Sequence, residues 1–339
     1  MKRFWIGLVL LLVPAHPVAL ADHTVDRIVE MHVLPGYARL EAAATMLSES
    51  AATDCSPKSE PLRKAYHSAF DAWIDISQLR FGPSEVDSRA FAIAFWPDPR
   101  ARTAKTLRRL LAEKDPSVDD PEAFATVSVA GRGLFALERL LFDPEFRDPA
   151  EGAFGCRLVI AISNDLAETA RAIAEDWRDR YADEMIWAGR KGSQYRTPLE
   201  AQQEFLKALS TGLQFTSELR LGRPLGTFER PRPKRAEARL SGRSLRNVQR
   251  ALTALGELAL ILSEEHPDLA RALDAAFATA HDVSDDLAED PVFASVSDVQ
   301  GRLKVEVLQQ RIDRIRDLVQ NRLGPALGVG EGFNALDGD

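Results

Sequence analysis

The most chemically loaded feature of this chain is a carboxylate set among apolar residues. It lies in the run Gly131-Arg132-Gly133-Leu134-Phe135-Ala136-Leu137-Glu138-Arg139-Leu140-Leu141-Phe142. On a helix, residues three and four apart share a face, so the neighbours of Glu138 would be Leu134, Phe135, Leu141 and Phe142. Arg139 is turned about 100° away from them. Burying an unpaired carboxylate is costly, so Glu138 must find a partner, a metal or a proton. Two readings stay open: half of a buried ion pair with an arginine from another helix, or the carboxylate of a ligand site.

Other candidate groups are scattered. His23, His32, His67, His266 and His281 contain no pair at i, i+4. His67 with Asp71, and His281 with Asp285, have that spacing, which suits two metal ligands on one helix but more often marks a hydrogen-bonded surface pair. There is no HExxH, GxSxG or GxxxxGK[ST] motif, and no Gly-rich dinucleotide turn after a strand. Residues 223–250 are strongly basic: Arg223, Arg230, Arg232, Lys234, Arg235, Arg239, Arg243, Arg246 and Arg250 stand against only Glu229 and Glu237. Such a stretch is either an anion site or a strip that is solvated or docked on acidic residues. Docking or solvation is the expectation, as for most charge runs.

These groups need elements to position them, and the sequence offers helices nearly throughout. Leu62, Ala65, Ala69, Trp73 and Ile76 recur at three and four. So do Leu158, Ile162, Leu166, Ile173, Trp177 and Tyr181. Near the end, Leu303, Val307, Ile312, Ile315, Leu318 and Val319 repeat the pattern. No run alternates as a strand would. The predicted fold class is all-α, with two helical-bundle domains and a cleft between them. Phe81-Gly82-Pro83 ends one helix, and Trp96-Pro97-Asp98-Pro99 opens another at about Arg100. Asp115 to Pro121 and Asp143 to Gly155 read as loops. The polar, Gly-containing Ala188–Ser193 stretch places the domain boundary, giving residues 22–190 and 191–339, the latter with a Gly-rich tail. Composition agrees: 45% of residues are hydrophobic and 28% charged, a globular balance. The net charge of −8 argues against a nucleic-acid partner.

The first residues read as an address. Lys2 and Arg3 precede an apolar run from Phe4 to Val13, and Ala19-Leu20-Ala21 supplies a small-x-small pattern. This predicts a signal peptide over residues 1–21, cleaved before Asp22, and a periplasmic protein. The apolar run is too short for a span, which needs ~20 residues. No later stretch predicts a transmembrane segment. Cys55 and Cys156 are the only cysteines. In an oxidising compartment they are expected to pair, and closing so long a loop is worth up to ~4–5 kcal/mol in the chain-entropy model.

Five short segments, in order, resemble the imelysin family, a group of exported two-domain helical proteins classed with metallopeptidases. Arg80-Phe81-Gly82-Pro83 is similar to the family's FGP turn and Trp96-Pro97-Asp98 to its WPD segment. Gly133 to Phe142 resembles the segment carrying its GxHxxE motif. Ser244-Leu245-Arg246-Asn247 resembles the second-domain signature, and Gly332 to Asp339 the C-terminal ending. Gly133 and Glu138 match the motif, but Phe135 stands where it has His.

The resemblance implies a ligand site made by Gly133, Phe135, Glu138, Arg80, Gly82, Trp96, Asp98, Arg246 and Asn247. Glu138 is its one candidate metal ligand. Iron or haem is open as the bound group. Zinc is argued against, because a catalytic zinc usually takes three protein ligands and phenylalanine supplies none. The reading is therefore an imelysin-like periplasmic protein, non-catalytic, that binds a small ligand or envelope partner in iron or haem acquisition. An imelysin-type metallopeptidase is the alternative, and a structural envelope protein the second.

Overall fold

Ten helices of ten residues or more form the frame of the computed structural model, which describes residues 18–329. They are α1 (Val18–Ile28), α2 (Leu34–Thr53), α3 (Glu60–Ile74), α4 (Arg102–Glu113), α5 (Gly133–Phe142), α6 (Ala153–Asp176), α7 (Pro198–Gln214), α8 (Ser244–Leu262), α9 (Pro267–Asp285) and α10 (Val299–Leu318). Among the described residues there is no strand, only an isolated bridge between Thr227 and Arg230. The fold is all-α. The signal-peptide expectation falls largely, and the C-terminal ending from Gly332 wholly, outside the described residues. No helix among the described residues is long and apolar enough to cross a membrane.

In the first part of the chain, α2 packs along α6 and α3, and α5 lies against α6. In the second, α9 packs between α8 and α10. The parts are tied together where α1 lies on α7 and α8, and where α3 touches α8. The stripes Leu62, Ala65, Ala69, Trp73 and Leu158, Ile162, Leu166, Ile173 are buried as their spacing requires. The second stripe continues through Trp177 and Tyr181 in a π-helical turn, Trp177–Tyr181. Cys55 and Cys156 form a disulfide that fastens the end of α2 to α6.

Two local expectations need correction. On α10, Leu303 is 57% exposed, and the buried stripe runs Val305, Leu308, Ile312 and Ile315. Arg302 takes an inward position instead, because its guanidinium donates to the carbonyls of Leu225 (2.7 Å) and Thr227 (3.2 Å). The stretch from Asp143 to Gly155 is not all loop. It holds a short helix, Pro144–Glu151, started by the Asp143 carboxylate accepting from the Glu145 N–H at 3.1 Å.

Candidate functional site

Glu138 is buried, 5% exposed, as its apolar neighbours dictate. Its helix α5 starts at Gly133, whose φ of +66° is a left-handed conformation. A Cβ there would collide with the carbonyl oxygens of Ala92 and Ile93, so the approach of α5 to the preceding segment needs glycine. The partner of Glu138 is Ser241, which lies 103 positions away in a turn just before α8. The Ser241 N–H donates to Oε1 at 2.9 Å and its hydroxyl to the same oxygen at 2.8 Å. No arginine from another helix supplies the bond. Burial raises the Glu138 pKa above the usual carboxylate range; the Ser241 donors oppose that shift without cancelling it.

Glu138 lines an open cavity of about 280 Å³. Phe95, Trp96 and Phe135 give it an aromatic wall, in which Trp96 stacks on Phe135 at 6.4 Å between ring centres. The opposite side comes from the second part of the chain: Arg223, and the segment Lys234 to Leu240. Asp98 also lines the cavity, but both carboxylate oxygens are engaged in capping α4. Oδ1 accepts from the Arg102 N–H and Oδ2 from the Thr103 N–H, each at 2.8 Å. Trp96 and Phe135 separate this cavity from a smaller one of about 70 Å³, lined also by Arg80, Phe215, Arg220 and Glu237. Phe215 and Arg220 sit on a π-helical segment, Phe215–Leu221, a geometry that recurs at functional sites.

Of the residues expected at the site, the structure brings Trp96, Asp98, Phe135 and Glu138 to one cavity, with Gly133 behind them. Arg80 reaches only the smaller cavity, where its guanidinium bonds Glu85 (2.7 Å) and covers Phe91. Gly82, at φ +59°, is a turn pressed against the Tyr181 ring. Arg246 and Asn247 do not line the main cavity. Arg246 bonds Asp71 at 2.8 Å. Asn247 is fully buried and donates to Glu237 Oε2 at 3.0 Å, beside the buried Arg220–Glu237 ion pair at 2.8 Å. Sequence reasoning missed Ser241 and that ion pair. Glu237, one of two acids in a strongly basic stretch, was the signal that could have pointed to it.

The residues do not fit the metal centre that the resemblance implies. Phe135 cannot ligate, and among the described residues no three His, Cys, Asp or Glu side chains converge on a common point that could hold an ion. His67 and Asp71 are joined instead by Arg243, which bonds both side chains.

The imelysin (Peptidase_M75) family model matches residues 33–319. Iron-regulated protein A of Synechococcus elongatus is 24% identical over 332 residues, covering 90% of this chain and 86% of that protein. An imelysin-like protein from Psychrobacter arcticum superposes with a TM-score of 0.76 at 18% identity, over 94% of this chain and 100% of that one. An iron-regulated protein A precursor from Parabacteroides distasonis gives 0.74 at 13% identity, over 91% and 97%. The match across residues 33–319 makes this chain a member of the imelysin family.

Proposed function

We propose that this chain is an exported, non-catalytic imelysin-family protein with an iron-related role. It binds a small ligand or an envelope partner in the cavity between its parts, residues 22–190 and 191–339. The observation that carries the reading is the Glu138–Ser241 contact: a buried carboxylate of the first part is held by a turn of the second, at the floor of an open aromatic-walled cavity. Pockets that join an apolar wall to a few convergent polar groups are the usual form of a ligand site. The iron role is supported by the names of the Synechococcus and Parabacteroides relatives, and export by the word precursor in the latter and by the N-terminal residue pattern of this chain. The absence of catalysis is supported by Phe135 at the motif's His position.

Equilibrium dialysis tests this reading. Untagged protein is dialysed against ferrous ion, a ferric chelate and haem, beside Leu240→Trp, which plugs the cavity. Retention of at least one by the wild type, lost in the plugged variant, is the expected result. Retention of none, or retention that the plug leaves unchanged, refutes the small-ligand reading of the cavity. Protein cleavage that stops with chelator and in Glu138→Ala would establish the metallopeptidase alternative.

A further inference from the structure

The charges around the cavity are unbalanced. Arg223, Lys234, Arg235 and Arg239 all line it, and among the described residues none has an acidic partner within ion-pair distance. Arg139, a fifth cation, is already paired with Asp143 at 2.7 Å. Arg223 is half-buried over the Trp96 ring, 5.6 Å from its centre, and its Nε is buried with no hydrogen-bond partner. Burial and the nearby charge of Arg235 both push the Arg223 pKa down, the mark of a cation held without its counter-ion. The two carboxylates on the same wall offset little of this. Asp98 is engaged by backbone N–H groups. Burial disfavours charge on Glu138, and its Oε2 receives no hydrogen bond among the described residues.

A bare metal cation would enter against this field and find one carboxylate. An anion would find unpaired guanidinium donors, whose fork geometry suits carboxylate oxygens. A hydroxyl on that anion could donate to the open Oε2 of Glu138. We infer that the cavity takes a small hydroxy-polycarboxylate, either free or as its negatively charged ferric chelate, and not a bare cation. The aromatic wall of Trp96 and Phe135 would cover the carbon skeleton. This inference rests on the cavity being the ligand site, as proposed above.

The test is calorimetric titration of the whole chain with citrate, ferric citrate, inorganic phosphate and, without oxygen, ferrous ion. The expected result is saturable binding of citrate or ferric citrate, with the better of the two identifying the natural form. Arg223→Gln and Arg239→Gln should each weaken it tenfold or more, and Arg223→Lys should recover part of the loss. Thermal melts confirm that each variant is folded. Phosphate binding as tight as citrate overturns the polycarboxylate assignment. Ferrous binding without either citrate form overturns the inference while leaving the cavity as the site. Citrate binding that both glutamine variants leave unchanged overturns it too, because the anion then sits elsewhere. No binding of any probe, in a protein that the dialysis shows to retain haem, overturns it while sparing the wider reading.

Discussion

The basic stretch 223–250 is used in two opposite ways. Its C-terminal arginines are docked: Arg243 and Arg246 both bond Asp71, and Arg250 bonds Asp75, so the start of α8 is stapled to α3. Its N-terminal cations, Arg223, Lys234, Arg235 and Arg239, face a cavity without acids to pair with. Of the two expected fates, docking describes the C-terminal half, and the N-terminal half is left unpaired, with Lys234 and Arg235 exposed. The two halves are alike in composition. What separates them is the surface each meets: α3 presents Asp71 and Asp75 one turn apart, whereas the cavity wall presents aromatic rings and carboxylates that are already engaged. A charge run becomes structural where acids meet it and stays unpaired where they do not.

The largest way to break this comparison is at Arg243. It is 1% exposed, covers the Phe70 ring, and donates to Asp71 and to His67 Nδ1 (3.1 Å). Arg243→Ala leaves Asp71 short of its buried partner and should cost about 3–5 kcal/mol. Arg246 bonds the same carboxylate, yet its side chain is 58% exposed. Arg246→Ala should cost less than about 1 kcal/mol, as exposed ion pairs do. Urea unfolding of the two variants reads the difference. Equal losses would mean that burial does not rank the staples.

A second effect sharpens the comparison through pH. Burial, followed by the adjacent Arg243 charge, lowers the His67 pKa from 6.5 to about 4. The native state then binds fewer protons than the unfolded chain between those values, so stability is lost as pH falls from about 6.5 towards 4. Discounted for the solvent that still reaches the ring, the loss is on the order of 1 kcal/mol. His67→Gln keeps an acceptor for Arg243 and removes the titration. Its stability should be flatter than the wild type across that window, and an unchanged slope would show that other groups carry it.

How far these features could be read beforehand depends on range. The burial of Glu138 was legible because its neighbours at three and four are all apolar, a local property. The disulfide was legible from count and compartment. Ser241 was not, because a turn residue 103 positions away carries no periodic signal. Asp98 lines the cavity, but its carboxylate is taken up by capping bonds to Arg102 and Thr103, a role its motif did not suggest. Arg246 and Asn247 were expected in the cleft because of their motif. They lie on its supports instead, one on Asp71 and the other on Glu237. Leu303 shows the limit of periodicity itself: an apolar residue can fit the spacing and still lose the inward position to an arginine that has carbonyls to reach.

The smallest expected effect bears most directly on the unpaired half. Glu138 has no cationic partner in ion-pair contact among the described residues; Ser241 alone supplies its hydrogen bonds, both to Oε1. Glu138→Gln keeps an oxygen to accept from Ser241 and removes a charge whose burial is unfavourable. Because burial raises the native pKa, the folded state binds more protons than the unfolded chain just above the ordinary carboxylate range. Stability from that proton is fully present below the unfolded pKa and is lost as pH rises through the folded one. The variant should therefore match or exceed the wild type at neutral pH, by no more than about 1 kcal/mol. It should also lack the wild type's decline on leaving acid. Thermal melts at pH 4, 5.5 and 7 measure both. A loss of about 3–5 kcal/mol at neutral pH would mean that a buried cation depends on Glu138. The cavity side of the basic stretch would then be docked like the other, and the contrast between the two halves would disappear.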